Sequence, residues 1–115
     1  MADEMFDIAL DFSRYPGGRF RKDGPHSGEE LRARLLPKLR AARDSGDRVV
    51  VVLDGTMGYS ASFLEEAFGG LVRSGEFTVN ELKRVLIVEA KTPVYAPFKQ
   101  LADRYITEAR VPAAA

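Results

Sequence analysis

The stretch Arg48-Val49-Val50-Val51-Val52-Leu53-Asp54-Gly55 decides the fold class. Its apolar residues run without alternation, which suits a central strand buried on both faces rather than a half-buried edge. Asp54-Gly55 closes the run with turn-forming residues. Upstream, Leu31, Leu35, Leu39 and Ala42 fall on one face at helical spacing, with Arg32, Arg34, Lys38, Arg40 and Arg43 over the remainder. Ser27 and Glu30 have the spacing of a capping box, so this helix is expected to start there and to end at Asp44-Ser45-Gly46-Asp47. Pro37 is expected to kink it or open it locally, because proline removes a donor and crowds the carbonyl of Ala33.

Downstream, Thr56-Met57-Gly58-Tyr59-Ser60 reads as a loop and Ser62 to Glu65 as a second capping box. The apolar stripe Phe63, Leu64, Ala67, Phe68, Leu71 and Val72 then carries a helix to Ser74-Gly75. Thr78 to Glu81 is a third box before a short helix, and Val85 to Val88 a second buried strand. Pro93 and Pro97 open a last helix along Phe98, Leu101, Ala102, Tyr105, Ile106 and Ala109. Near the start, Phe6, Ile8, Leu10 and Phe12 alternate with polar residues, predicting a strand over Met5 to Phe12. Tyr15-Pro16-Gly17-Gly18 breaks it, and Arg19 to Lys22 is expected to return as a short strand. The expected architecture is therefore α/β: about four strands in a mixed sheet with helices packed on it. One domain over 1–115 is expected, with 110–115 a frayed tail.

Composition removes several function classes. The 115 residues carry 17 Lys+Arg and 17 Asp+Glu, one His and no Cys, which excludes disulfides, cysteine-based zinc sites and cysteine nucleophiles. Zero formal charge makes non-specific nucleic-acid binding an unlikely main role, although the basic helix face allows a local contact. The longest apolar run is too short to span a bilayer, and Met1-Ala2-Asp3-Glu4 lacks a basic flank leading into an apolar stretch. A cytoplasmic location, no membrane contact, no metal and no cofactor are the corresponding expectations.

Chemistry is expected where strands of an open α/β sheet end. Asp54 reads either as a turn-former before Gly55 or as a charge that positions the loop or meets a partner. Ser62 reads as a cap, and a serine at a helix start also tolerates a phosphate, because free amides and the helix dipole stabilise negative charge; Ser60 is its neighbour. Met57 and Tyr59 are candidate partner anchors that could equally tuck into the core. Arg19, Ser27, Gly28 and Arg32 could hold an anion or nucleotide at a helix N-terminus, against the alternative of a solvated basic edge. No P-loop pattern and no G-x-S-x-G elbow is present. A receiver-like phosphoaspartate at Asp54 would need five strand-helix units, more than this chain supplies.

The segment from Val50 to Leu71, with Gly18-Arg19 and Gly24-Pro25-His26-Ser27-Gly28-Glu29-Glu30-Leu31-Arg32, resembles the STAS-like domains of unknown function. These are bacterial relatives of the sulphate transporter and anti-sigma factor antagonist fold, and the resemblance covers Phe6 to Val88. Anti-sigma factor antagonists place Asp-Ser-Ser-Gly at a helix start, with one serine phosphorylated by a partner kinase. Ser62 is the best positional match and Ser60 the second, but Ser60-Ala61-Ser62-Phe63 has no Asp directly before the serine and no Gly after it. The resemblance implies a regulatory interaction module that is not an enzyme. It would work through a histidine-kinase-like ATPase partner, with Asp54, Met57, Tyr59 and Phe63 on the partner surface.

Overall fold

The computed structural model describes residues 2–112; residues 113–115 of the expected tail lie outside the described residues. Three strands, β1 (Asp3–Asp7), β2 (Arg48–Val52) and β3 (Leu86–Glu89), form one sheet in the order β1-β2-β3. Both pairings are parallel and in register, with Met5, Val50 and Ile87 in one row and Phe6, Val51 and Val88 in the next. Helix α1 (Gly28–Ser45) crosses from β1 to β2. The second crossover holds α2, which runs over residues 61–73 as an α turn (Ala61–Leu64), a π-helical segment (Glu65–Gly69) and a further α turn (Gly70–Arg73), and then α3 (Val79–Val85). Helix α4 (Ala96–Glu108) follows a 3-10 turn at Pro93–Tyr95.

The expected four-stranded mixed sheet is corrected to three parallel strands. The first predicted strand stops at Asp7, because the chain then closes a π-helical turn over Ile8–Phe12 with Ser13 N donating to Ile8 O at 2.8 Å. Asp7 accepts from Leu10 N at 3.3 Å and Asp11 accepts from Asp7 N at 2.8 Å, so local side chains outcompete the ladder. The predicted return strand at Arg19 to Lys22 is a 3-10 turn at Arg21–Asp23, held by Phe20 N on Asp23 Oδ2 at 2.9 Å.

Helix α1 begins as expected, with Ser27 Oγ accepting from Glu30 N at 3.1 Å, and runs through Pro37 without a break. Thr78 and Glu81 form a complete capping box. The second box is corrected: the cap of α2 is Ser60, whose Oγ accepts from Phe63 N at 3.2 Å. Glu65 cannot turn back to the helix start, because its carboxylate is taken by Arg19 and Arg73.

Both crossovers step the same way across the sheet, and the right-handed rule puts their helices on the same face. Burial agrees. Phe6, Val49, Val51, Leu86 and Val88 join Leu31, Leu35, Leu39, Phe63, Phe68 and Leu71 in one cluster, while Val50 and Val52 on the opposite face lie outside that cluster yet are only 6% and 3% exposed.

Candidate functional site

Each strand delivers its chain to a loop at the same end of the sheet, and the three loops are tied together. Met57 N of the second loop donates to Arg14 O of the first at 2.8 Å. Asp54, just past β2, reaches the third loop and accepts from Lys91 N at 2.7 Å, Thr92 N at 3.0 Å and Thr92 Oγ1 at 2.7 Å. Tyr95 of the third loop donates its hydroxyl back to Thr56 O. The second loop turns at Gly55 and Gly58, whose φ values of 96° and 100° exclude most side chains. The rim is thus a cross-linked platform.

Its outer surface mixes polar residues such as Asp11, Arg14 and Lys91 with exposed apolar ones. Leu10 (74% exposed), Tyr15 (71%), Met57 (79%) and Val94 (74%) come from these three loops and are the most exposed large hydrophobic side chains among the described residues. Met57 and Val94 border a groove of about 400 Å³ whose walls include Thr56, Tyr95 and Phe98. Separate apolar side chains in water are ordinary; four from one tied rim are a grouping that marks a candidate site. Leu10, Tyr15, Val94 and Tyr95 were not among the residues singled out from sequence. Tyr15 alone carried a signal, as an aromatic in a segment read as a turn; Leu10 fell in a segment read as a strand, and Val94 and Tyr95 at the opening of the last helix.

Tyr59 is half-buried, stacked against Phe63 and Phe98 at centroid distances of 5.7 and 5.3 Å, and donates to Leu53 O at 2.6 Å. Burial is the main reason its ionisation is pushed up, so it stays a neutral donor. Phe63 has no exposed surface, which corrects its assignment to a partner surface: it anchors the start of α2 from inside. Burial works against the charged form of Asp54, but its hydrogen bonds from Lys91 and Thr92 prevail and hold the carboxyl below its ordinary value. Ser60 is exposed, caps α2 and lies 3.3 Å from Ser62 Oγ, so both hydroxyls sit at the edge of the platform.

The residues read as an anion site meet internal partners instead. Arg19 bonds Glu65 at 2.5 Å and Glu66 at 3.4 Å, Arg32 bonds Glu66, and Arg73 bonds Glu65 and, at 3.0 Å, Glu66. The Arg19 hydrogen bond to Glu65 raises the guanidinium above its ordinary value despite burial. Glu65 is lowered, since these arginines outweigh the cost of burying its charge. Ser27 is fully buried as a cap, and the amides of Gly28 and Glu29 donate to Gly18 O at 2.9 Å and Arg19 O at 3.0 Å. Gly28 is there for contact: a Cβ would lie 2.5 Å from Phe63 O. The helix start that sequence offered to an anion is filled by the protein itself.

Among the described residues no group of three or more His, Cys, Asp or Glu could hold a metal ion, and no helix is long and apolar enough to cross a membrane. No curated protein and no solved structure matches the sequence. A family model does match, that of the STAS-like domain of unknown function (DUF4325), over residues 27–95. The match takes in α1, the central strand β2, the edge strand β3, α2, α3 and two of the three platform loops. The chain belongs to this family of STAS-like domains.

Proposed function

We propose that this domain is a regulatory protein-interaction module, related in its way of working to anti-sigma factor antagonists, and that its partner docks on the platform formed by the three strand-end loops. The observation that carries this reading is the grouping of Leu10, Tyr15, Met57 and Val94 on loops fixed to one another by hydrogen bonds. A preorganised apolar surface loses little conformational freedom on binding, which favours association. The module supplies no chemistry of its own. In this reading a histidine-kinase-like ATPase is the partner, and a phosphate on Ser60 or Ser62 would place about −1.5 to −2 charge beside the apolar groove and weaken docking.

The test is photo-crosslinking in native lysate from a reactive amino acid at position 57, with position 83 on α3 as the control. Intact mass of the recovered domain is measured in the same experiment. Support is a discrete crosslinked product that forms from position 57 and disappears in Val94→Ser, with an ATPase identified in it. Equal crosslinking from positions 57 and 83 would remove the platform as the docking surface. An unmodified mass under every growth condition would remove the phosphate switch.

A further inference from the structure

The two edges of the sheet are built differently. Helices α3 and α4 pack against β3, whereas β1 touches little beyond β2 and the turn that follows it among the described residues. Asp3, Glu4 and Met5 are exposed in succession, Met5 at 52%, while no residue of β2 or β3 is exposed. The main chain shows which groups lie on this edge. Arg48 N donates to Ala2 O at 3.0 Å, so the even-numbered residues of β1 face β2, and Asp3, Met5 and Asp7 turn their N–H and C=O groups outward. Asp7 N agrees, since it donates to Asp11 Oδ2 at 2.8 Å, away from the ladder, and so closes one end of the edge. The amides and carbonyls of Asp3 and Met5 make no hydrogen bond on that side among the described residues. Beside them lies a groove of about 420 Å³ bordered by Glu4, Phe6 and Asp11 and by Arg34 and Lys38 of α1.

We propose that this edge docks an extended segment of another protein, which joins the sheet as a further strand beside β1 and alternates in the pattern basic, polar, apolar, polar, basic. Donors and acceptors repeating at every second residue along an edge are matched by another strand, not by a helix or a small ligand.

Charge selects the side chains. Asp3, Met5 and Asp7 share the face turned away from the helices, and an acid, apolar, acid series calls for basic, apolar, basic on the neighbouring strand. The cations close by are already used, Lys38 by Glu4 at 2.7 Å, Arg34 by Glu30 at 3.3 Å and Arg48 by Asp3 at 3.0 Å. Asp7 and Asp11 have no ion pair among the described residues, so the charge left to complement is acidic. The same pattern argues against a second copy of this chain. Antiparallel pairing centred on Met5 would set Asp3 opposite Asp7 of the other copy, and pairing centred on Glu4 would set Glu4 opposite itself. Acids so placed guard the edge against self-pairing and leave it open to a segment of opposite charge.

The probe is a peptide of about seven residues, long enough to span Asp3–Asp7. It is blocked at both ends, with valine at its centre, threonine on either side and lysine beyond, and a twin carries glutamate for lysine. The pattern reads the same in both directions, so parallel and antiparallel pairing are both admitted. Binding to the full chain is followed by amide NMR. The expected result is saturable binding of the lysine peptide, shifts and slowed hydrogen exchange at the amides of Asp3 and Met5, and about tenfold or more weaker binding of the twin. Methylating the valine nitrogen, or instead both threonine nitrogens, tests for the ladder. Alternate amides of a strand point to opposite sides, so one modification abolishes binding and the other spares it. Met5→Pro also abolishes binding with the circular dichroism unchanged, since it removes an outward N–H that the sheet does not use. The methylated peptides make the same test without altering the protein. The proposal is overturned if the lysine peptide does not bind, if both peptides bind alike, if both methylations act alike, or if the shifts fall on Met57 instead. Self-association in sedimentation that Met5→Pro removes would also overturn it, by making a second copy the occupant.

Discussion

Thr92 meets Asp54 twice, through its amide at 3.0 Å and its hydroxyl at 2.7 Å, so one carboxylate at the end of β2 fixes the loop that leaves β3. The contact joins positions 38 residues apart, and with Lys91 N it gives the carboxylate three donors. Asp54 therefore shapes the platform without being offered to a partner as a free charge.

Replacing Asp54 by Ala should loosen the third loop at a cost of about 1–2 kcal/mol, the scale for charge-assisted hydrogen bonds at a partly exposed site. The pH dependence has a definite sign. The folded carboxyl lies below its ordinary value of 3.8, so its contribution is present above that pH and is lost as pH falls through the lower folded value. Urea titrations of wild type and Asp54→Asn between pH 7 and pH 2.5 check this. The wild-type advantage should shrink only in the acid limb, and a constant difference across the range would refute the assignment.

Gly28→Ala should destabilise the domain by about 2 kcal/mol, although alanine is the better helix former. The added Cβ would stand 2.5 Å from Phe63 O and 3.0 Å from Glu66 Cβ, where α1 crosses α2. Backbone cannot swing aside as a side-chain tip can. Thermal unfolding measures the effect, and a stability equal to wild type would mean that α1 shifts freely along α2.

Glu66→Ala should cost about 3 kcal/mol, since it removes a carboxylate with 7% side-chain exposure that faces Arg19, Arg32 and Arg73. Arg19 and Arg73 would keep Glu65, while Arg32 would be left with the backbone carbonyl of residue 66 and no carboxylate. The double variant Glu66→Met/Arg32→Met should recover part of the loss, because an apolar pair of similar volume avoids the uncompensated charge. Additive losses in chemical denaturation would count against a coupled network.

How much of this could be read from sequence depends on how local the deciding interaction is. Val49 to Val52 and the caps at Ser27 and Thr78 are local, and they appear where their residue types put them. Phe6, Ile8, Leu10 and Phe12 alternate like a strand, yet Asp7 and Asp11 close the backbone on itself, and two local side-chain hydrogen bonds are invisible to periodicity. Ser62 and Glu65 matched the capping pattern as well as Ser27 and Glu30 did. What the pattern does not show is that the cap of α2 falls at Ser60, and that Glu65 is drawn to Arg19, 46 residues distant, and to Arg73, much as Glu30 is drawn to Arg21 and Arg34. The apparent anion site failed to open for the same reason: the carboxylates that fill it lie on α2, far from Arg19 and Arg32 in the chain. The platform was half legible, since Met57 and Tyr59 announced an apolar loop, but only the sheet order brings Leu10, Tyr15 and Val94 beside it.

Ser60 and Ser62 should separate cleanly under substitution. Ser60 caps α2 through Phe63 N, so Ser60→Ala should cost about 1 kcal/mol. Ser62 lies inside the first turn and makes only the 3.3 Å contact to Ser60, so Ser62→Ala should stay within about 0.5 kcal/mol of wild type. Aspartate is itself a good cap and its charge suits a helix start, so Ser60→Asp should keep the stability that Ser60→Ala loses. That pair isolates charge from folding in the docking assay. If crosslinking from position 57 falls in Ser60→Asp and survives in Ser60→Ala, negative charge at the platform edge weakens docking. If it falls only in Ser60→Ala, the serine acts through the helix cap and the switch has no electrostatic basis.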